Sequence, residues 1–133
     1  MKTYVFDASA LFIFLLKQAG SDKVSALLKE AMHGRGRILM SAVNYGEVYG
    51  SILRQHGKDR ALAIMSAVKP LPIELMDSTP QRAMQAADLK AKYKLYYVDS
   101  FAAALAIEHK ATLVTSDSDF KKLGQGVPVM WLG

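Results

Sequence analysis

The chain of 133 residues contains no cysteine, which excludes a disulfide framework, a thiolate zinc site, an iron–sulfur cluster and a cysteine nucleophile. Any metal must therefore sit on oxygen or imidazole, and a reducing cytoplasm is the expected compartment. Histidine is scarce too. His33, His56 and His109 fall near expected helix ends with no HExxH or other ligand spacing, which reads as exposed capping rather than coordination. No GxGxxG or Walker loop follows the first strand, so nucleotide-cofactor binding and P-loop chemistry are disfavoured. Long apolar runs are missing: Ala10–Leu16 is far short of a membrane span, and Asp7 interrupts its extension toward the start. With no small-residue cleavage pattern either, neither a spanning helix nor an export signal is expected. Finally, acid is short relative to base, twelve Asp and Glu against seventeen Lys and Arg for a net charge of +5, a balance that favours a polyanionic partner.

What remains is ordinary globular material, 51% hydrophobic and 22% charged, enough for one core and one domain over 1–133. Thr3–Phe6 lacks alternation, as a strand buried on both faces does, and Asp7-Ala8-Ser9 then opens an apolar helix over Leu11–Leu16. Gly20-Ser21-Asp22 turns and caps a second helix, whose inward face reads Val24, Leu27, Leu28, Ala31 and Met32 before Gly34 and Gly36 end it. In this setting Gly34-Arg35-Gly36-Arg37 is a helix cap and turn rather than an RNA-binding repeat. Ile38–Met40 is the second strand. Helices over Val43–His56 and Lys58–Val68 follow, then Pro70-Leu71-Pro72 and a short third strand, Pro72–Met76. Thr79-Pro80 launches a helix through Tyr93, with Ala83, Ala86, Ala87 and Leu89 inward. A very apolar helix, Phe101–Ile107, a fourth strand at Thr112–Thr115, a brief helix ending near Gly124 and a fifth strand at Val127–Trp131 complete the chain. Strands alternating with helices call for a three-layer α/β/α fold with a mainly parallel sheet of about five strands. Ligands are then expected outside the strands' C-terminal ends.

Several acids are embedded in hydrophobic sequence: Phe6-Asp7-Ala8, Gly46-Glu47-Val48 and Val98-Asp99-Ser100. An ionised group in such surroundings needs compensation. Asp7 and Asp117 both follow strands, so a parallel sheet puts them at the same edge, where Asp99 and Glu47 could join them. Four converging carboxylates raise one another's pKa unless a divalent cation takes the charge, and an all-oxygen set points to Mg²⁺ or Mn²⁺. Plainer accounts exist for each acid alone. Asp7, Asp99 and Asp117 precede helices, where aspartate is a favoured N-cap. Glu47 lies on a polar stripe with Asn44, Ser51, Arg54 and Lys58 that could simply face water. Against that, Gly46 and Gly50 each cost a helix interior about 1 kcal/mol relative to alanine, which implies a close approach beside the glutamate.

Four segments, Tyr4–Leu11, Met40–Val48, Val98–Ala106 and Leu113–Phe120, in this order and spacing resemble the PIN-domain ribonucleases, and among them the VapC-type toxins of toxin–antitoxin pairs. The resemblance spans the whole chain. It implies an acidic constellation of Asp7, Glu47, Asp99 and Asp117, with Asp119 auxiliary or a surface cap and Ser9 and Thr115 as nearby hydroxyls. It also implies metal-assisted endonucleolytic hydrolysis of structured RNA, with tRNA or ribosomal RNA as the usual target and a 5′-phosphate and a 3′-hydroxyl left behind. A homodimer and a small neutralising antitoxin protein are implied as partners. Tyr96-Tyr97-Val98 is more aromatic than many relatives show.

Setting aside the four acids leaves seventeen bases against eight acids, an excess of nine that suits a phosphate backbone. Arg54 and Lys58, which follow Glu47 on its stripe, are the first candidates for RNA contact; Lys17, Arg35, Arg37, Arg60, Lys90, Lys92, Lys94, Lys121 and Lys122 stand behind them. Tyr45, Tyr49, Tyr93, Tyr96 and Tyr97 are candidates for stacking on unpaired bases, the alternative being packing with a hydroxyl handle. Two other functions are open to this pattern. A receiver-like Mg²⁺-binding signalling domain expects paired acids after the first strand, where Asp7 stands alone. A PIN domain that binds RNA or protein without cutting needs no complete acid set.

Overall fold

A computed structural model describes residues 1–133. Five strands, β1 (Lys2–Phe6), β2 (Gly36–Ser41), β3 (Ile73–Met76), β4 (Thr112–Thr115) and β5 (Val129–Trp131), form one sheet in the order β3-β2-β1-β4-β5. Every neighbouring pair is parallel. Six α-helices connect them: α1 (Ala8–Leu15), α2 (Ser21–Met32), α3 (Ala42–His56), α4 (Lys58–Met65), α5 (Pro80–Tyr93) and α6 (Tyr97–His109), with a 3₁₀ turn at Ser118–Leu123 before β5. None is long and apolar enough to cross a membrane. The three-layer α/β/α architecture expected from the strand–helix rhythm is the one observed.

Residues alternate across the sheet, and each face finds its own helices. Val5, Leu39 and Leu113 face the buried alanines of α6, Ala102, Ala103 and Ala106. Phe6, Ile38 and Val114 face the opposite way, onto Ala10 and Ile13 of α1 and Val24, Leu27 and Leu28 of α2. A third cluster, with Leu11, Met40, Val48, Ile52 and Ala61, seats α3 and α4 against α1. Fully burying one such Leu, Val or Phe side chain stabilises the fold by about 1.5–3 kcal/mol. Gly20 is required where it stands. Its φ is +99°, and a Cβ there would come within 3.3 Å of the Leu132 Cβ, so the turn into α2 tolerates no side chain.

Several expectations from the sequence need correction. Met32 is 70% exposed because α2 ends on it and its last turn has passed the sheet; Ala87 likewise faces solvent. His109 is half-buried, its Nε2 3.1 Å from Glu108 Oε2, rather than an exposed cap. Gly46 has open space where a side chain would stand, and a Cβ on Gly50 would meet only the tip of Arg54 at 4.0 Å. No close approach within the chain explains these two glycines.

The topology decides where a site can form. From β1 the chain moves outward through β2 to β3, then returns to β4 on the other side of β1. Beyond the C-terminal ends of β1 and β4 the flanking connections diverge, leaving the crevice in which open α/β sheets bind ligands.

Candidate metal centre

Asp7 emerges from β1 at this crevice and Asp117 follows β4 at the same edge. Asp7 is 4% exposed, and both its carboxylate oxygens are engaged. Oδ1 accepts from Ser9 Oγ at 2.6 Å and from the Ala10 N–H at 3.0 Å, and Oδ2 accepts from Thr115 Oγ1. The two hydroxyls are oriented in turn by backbone donors, Ser9 Oγ by the Ser116 N–H and Thr115 Oγ1 by the Asp117 N–H, each at 2.9 Å. With a backbone N–H donating to each from behind, Ser9 and Thr115 turn their protons toward Asp7. The network ties the loop that carries Asp117 to the start of α1. Asp7 is therefore also the α1 N-cap, and Asp117 caps the 3₁₀ turn through the Asp119 N–H at 2.9 Å. Capping and membership of the cluster coexist in these residues. Asp99 is no cap: it is the third residue of α6, whose N-cap is Tyr96.

Glu47 reaches the same region from the second turn of α3. The polar stripe suspected of facing water does not do so at its start, where Asn44 is completely buried. Its Nδ2 donates to the Val98 carbonyl at 3.0 Å, joining α3 to the first turn of α6 one residue before Asp99. Asn44 Oδ1 and Glu47 Oε1 are buried acceptors without a hydrogen-bond donor, an uncommon and costly condition in a folded protein.

Carboxylate oxygens of Asp99, Asp117 and Asp119 lie within 4.8 Å of one another, and none of the five acids forms an ion pair with a base. Asp99, Glu47 and Asp7 are all raised. Burial pushes Asp99 up to about 7, and the charges of Asp117, Glu47, Asp7 and Asp119 push the same way. Burial also raises Glu47 against the Asn44 amide beside it, with Asp7 and Asp117 adding to the rise. Asp7 is raised by burial despite its bonds from Ser9, Thr115 and Ala10, and Asp117 adds to that rise. Carboxylates crowded without compensation, and orphan acceptors among them, fit a hard divalent cation. Asp119, expected at the margin, stands within the tightest trio.

A cleft of about 330 Å³ leads away from Ser9 and Ser116 between α1 and α3, past Ser51 and Gln55. Arg54 is exposed on the α3 face two turns beyond Glu47, with Nη2 donating to Ser51 Oγ at 3.1 Å. The Lys58 ammonium lies 5.4 Å from the centre of the Tyr49 ring. Arg35 and Arg37 instead belong to the opposite, N-terminal end of β2 and are bound to Glu30 and Glu74.

The PIN-domain sequence profile matches residues 4–126. The chain belongs to the PIN-domain family. No curated protein matches the sequence, but solved structures do. This PIN domain superposes on a chain of VapBC2 from Rickettsia felis, bound to a promoter DNA fragment, with a TM-score of 0.79 at 17% identity, covering 98% of this chain and 99% of that one. VapBC from Salmonella typhimurium, also bound to DNA, gives 0.72 at 14% identity over 98% of each chain. VapC20 from Mycobacterium tuberculosis, a toxin that cleaves the sarcin–ricin loop, gives 0.71 at 16% identity, covering 91% of this chain and 95% of that one. Family membership removes the receiver-like alternative.

Asn44 is the residue of this PIN domain that sequence reasoning passed over. It was legible in one respect, since it precedes Glu47 by three positions and so shares its helix face. The backbone donors of Ser116 and Asp117, which orient the two hydroxyls, carry no side-chain signal.

Proposed function

We propose that this PIN domain is a divalent-cation-dependent endoribonuclease and the toxin of a VapBC-type pair. The observation that carries the reading is the gathering of Asp7, Glu47, Asp99, Asp117 and Asp119 at the sheet's switch point without a single basic partner. Mg²⁺ or Mn²⁺ would be held first by Asp99, Asp117 and Asp119, whose oxygens converge, with Asp7 and Glu47, which lie outside that trio but close enough to raise Asp99, completing the negative charge around it. Such an ion withdraws charge from phosphoryl oxygens and makes water acidic enough to attack at neutral pH. The chain's own residues set the stage for that reaction. Ser9 and Thr115 keep Asp7 from rotating, Asn44 holds Glu47 and the start of α6 together, and Arg54, bonded to Ser51 at the cleft, and Lys58, exposed one turn further along the chain, would offer positive charge to the RNA backbone.

Structured RNA, tRNA or ribosomal RNA, is the proposed substrate. The VapC20 likeness and the net charge of +5 support it. The VapBC complexes among the structural relatives support a small antitoxin as partner; a homodimer and a cytoplasmic site of action complete the proposal.

The test is cleavage of a panel of structured RNAs by purified protein with Mg²⁺, Mn²⁺ or EDTA, beside Asp7→Asn and Asp99→Asn. Cutting that needs metal and both acids is the expected result. Cutting that persists in both variants would identify a contaminant, and tight binding without cutting under every metal condition would make this PIN domain a binding module.

A further inference from the structure

Five tyrosines qualify by sequence as stacking candidates, and four have ring contacts within the protein, Tyr97 among them although it is 41% exposed. Tyr45 and Tyr49 pack against the α1–α3–α4 cluster, where Lys58 covers the Tyr49 ring. Tyr93 packs against the α6 cluster, with Lys92 over its ring. Tyr97 meets Phe101 edge-on at 5.0 Å, and its hydroxyl donates to the Ala83 carbonyl at 3.4 Å. Tyr96 has no such role and is 74% exposed.

Its backbone, by contrast, is tightly held. Tyr96 is the N-cap of α6, and its carbonyl accepts from both the N–H and the hydroxyl of Ser100, at 3.0 and 2.9 Å. Leu95 before it is buried in the core. A serine, threonine, asparagine or aspartate at that position would accept from a free helix N–H, and tyrosine cannot; α6 accordingly has no side-chain cap. The position thus forgoes a cap and presents a large ring to solvent on a rigid support, within one helical turn of Asp99. Positive charge stands next to it. Lys94 precedes the loop, in the left-handed conformation with φ +57°, and Lys122 Nζ donates to the Lys94 carbonyl at 3.2 Å. An ordered, solvent-facing ring beside lysines is the combination that binds single-stranded nucleic acid.

We propose that Tyr96 is a specificity-determining residue whose ring stacks on an unpaired nucleobase next to the phosphodiester at the carboxylate cluster. The proposal rests on the nuclease reading for its register and makes an unpaired segment, rather than a continuous duplex, the preferred substrate. Lys94 and Lys122 would contact the flanking phosphates.

Two measurements test it. On an RNA that the wild type cuts, Tyr96→Ser is expected to raise KM about tenfold or more, leave kcat nearly unchanged and hold or raise Tm through the new cap. Tyr96→Phe and Tyr96→Trp are expected to keep the wild-type KM, a rescue by aromatic rings that a structural role would not produce. A wild-type KM in Tyr96→Ser, or a loss in Tyr96→Phe as large as in Tyr96→Ser, would overturn the proposal. The second measurement needs no cleavage. Trp131 is the sole tryptophan, so Tyr96→Trp combined with Trp131→Phe makes a single reporter, titrated with short oligouridylate and oligoadenylate in an Asp99→Asn background. Quenching by single strands and none by a duplex is expected. Absence of quenching overturns the stacking proposal whatever the cleavage result. Quenching by a protein whose Asp99-intact parent cuts no RNA overturns the nuclease reading alone.

Discussion

Two sets of carboxylates in this PIN domain meet opposite fates. Glu30, Glu74 and Glu108 each face an arginine through two contacts, with shortest distances of 2.8 Å to Arg35, 2.7 Å to Arg37 and 3.0 Å to Arg82. All three are held below the usual carboxylate range by these hydrogen bonds. Asp7, Glu47 and Asp99 have acids for neighbours and are pushed above it. The first set titrates as acids do when the fold welcomes their charge; the second is held together by packing that works against it. Crowded like charges of this kind are relieved by a held proton or a bound cation, and they concentrate at functional sites.

The sharpest way to break this comparison is to supply the cation. With Mg²⁺ a hundredfold above its Kd, wild-type protein should gain about 3 kcal/mol and several degrees of Tm in a thermal melt, and Asp99→Asn should gain little. Equal gains in both would mean that the crowded acids are not the binding site. In metal-free protein Asp99→Asn should also melt higher than wild type above pH 7, because the substitution removes a charge the site resists.

Asn44→Ala comes next. It removes the side-chain donor that ties α3 to the Val98 carbonyl of α6 and leaves a cavity, for a loss of about 1–3 kcal/mol in denaturant unfolding, together with weaker Mg²⁺ binding by calorimetry. A variant that loses stability and keeps full Mg²⁺ affinity would show that Glu47 finds its place without the amide.

A third effect follows from pH. Asp99 titrates at about 7 in the folded chain against an ordinary 3.8, so between those values the native state holds a proton the unfolded state has released. Its contribution is fully present below pH 4 and lost as pH rises through 7. Asp7 and Glu47, both raised, act in the same direction. Metal-free Tm should therefore fall from pH 5 to pH 8, with a shallower slope in Asp99→Asn. The paired glutamates act in the opposite sense: their contribution is present above about pH 4.5 and is lost as pH falls below it. Arg37→Met should have the smallest effect, within about 1 kcal/mol, since surface ion pairs contribute little, and should leave cleavage untouched.

Much of this contrast was legible before any coordinates. Asp7, Glu47 and Asp99 are marked by hydrophobic flanks, and the rhythm of strands and helices places Asp7 and Asp117 at one sheet edge. Their companions were less visible. Asn44 looks like the first member of a solvent-facing stripe until α6 is laid over it, and Arg37 looks like an RNA contact until Glu74, from a neighbouring strand, takes it up. Such pairings come from strand order, which local periodicity does not encode. Gly46 and Gly50 suggest a close approach by their place inside a helix, but at Gly46 nothing in the chain comes near. Met32 and Ala87 fit a helical repeat whose inward arc proved narrower than the spacing suggested.

The hydrogen bonds from Ser9 and Thr115 to Asp7 join residues more than a hundred positions apart for the Thr115 contact, and β1 is flanked on one side by a strand that starts only at Thr112. During translation, a nascent polypeptide that has left the ribosome only as far as α6 has no partner for that flank of β1 and no Thr115 to steady its first aspartate. The centre therefore cannot assemble until synthesis has passed β4, so its completion lags well behind the emergence of β1.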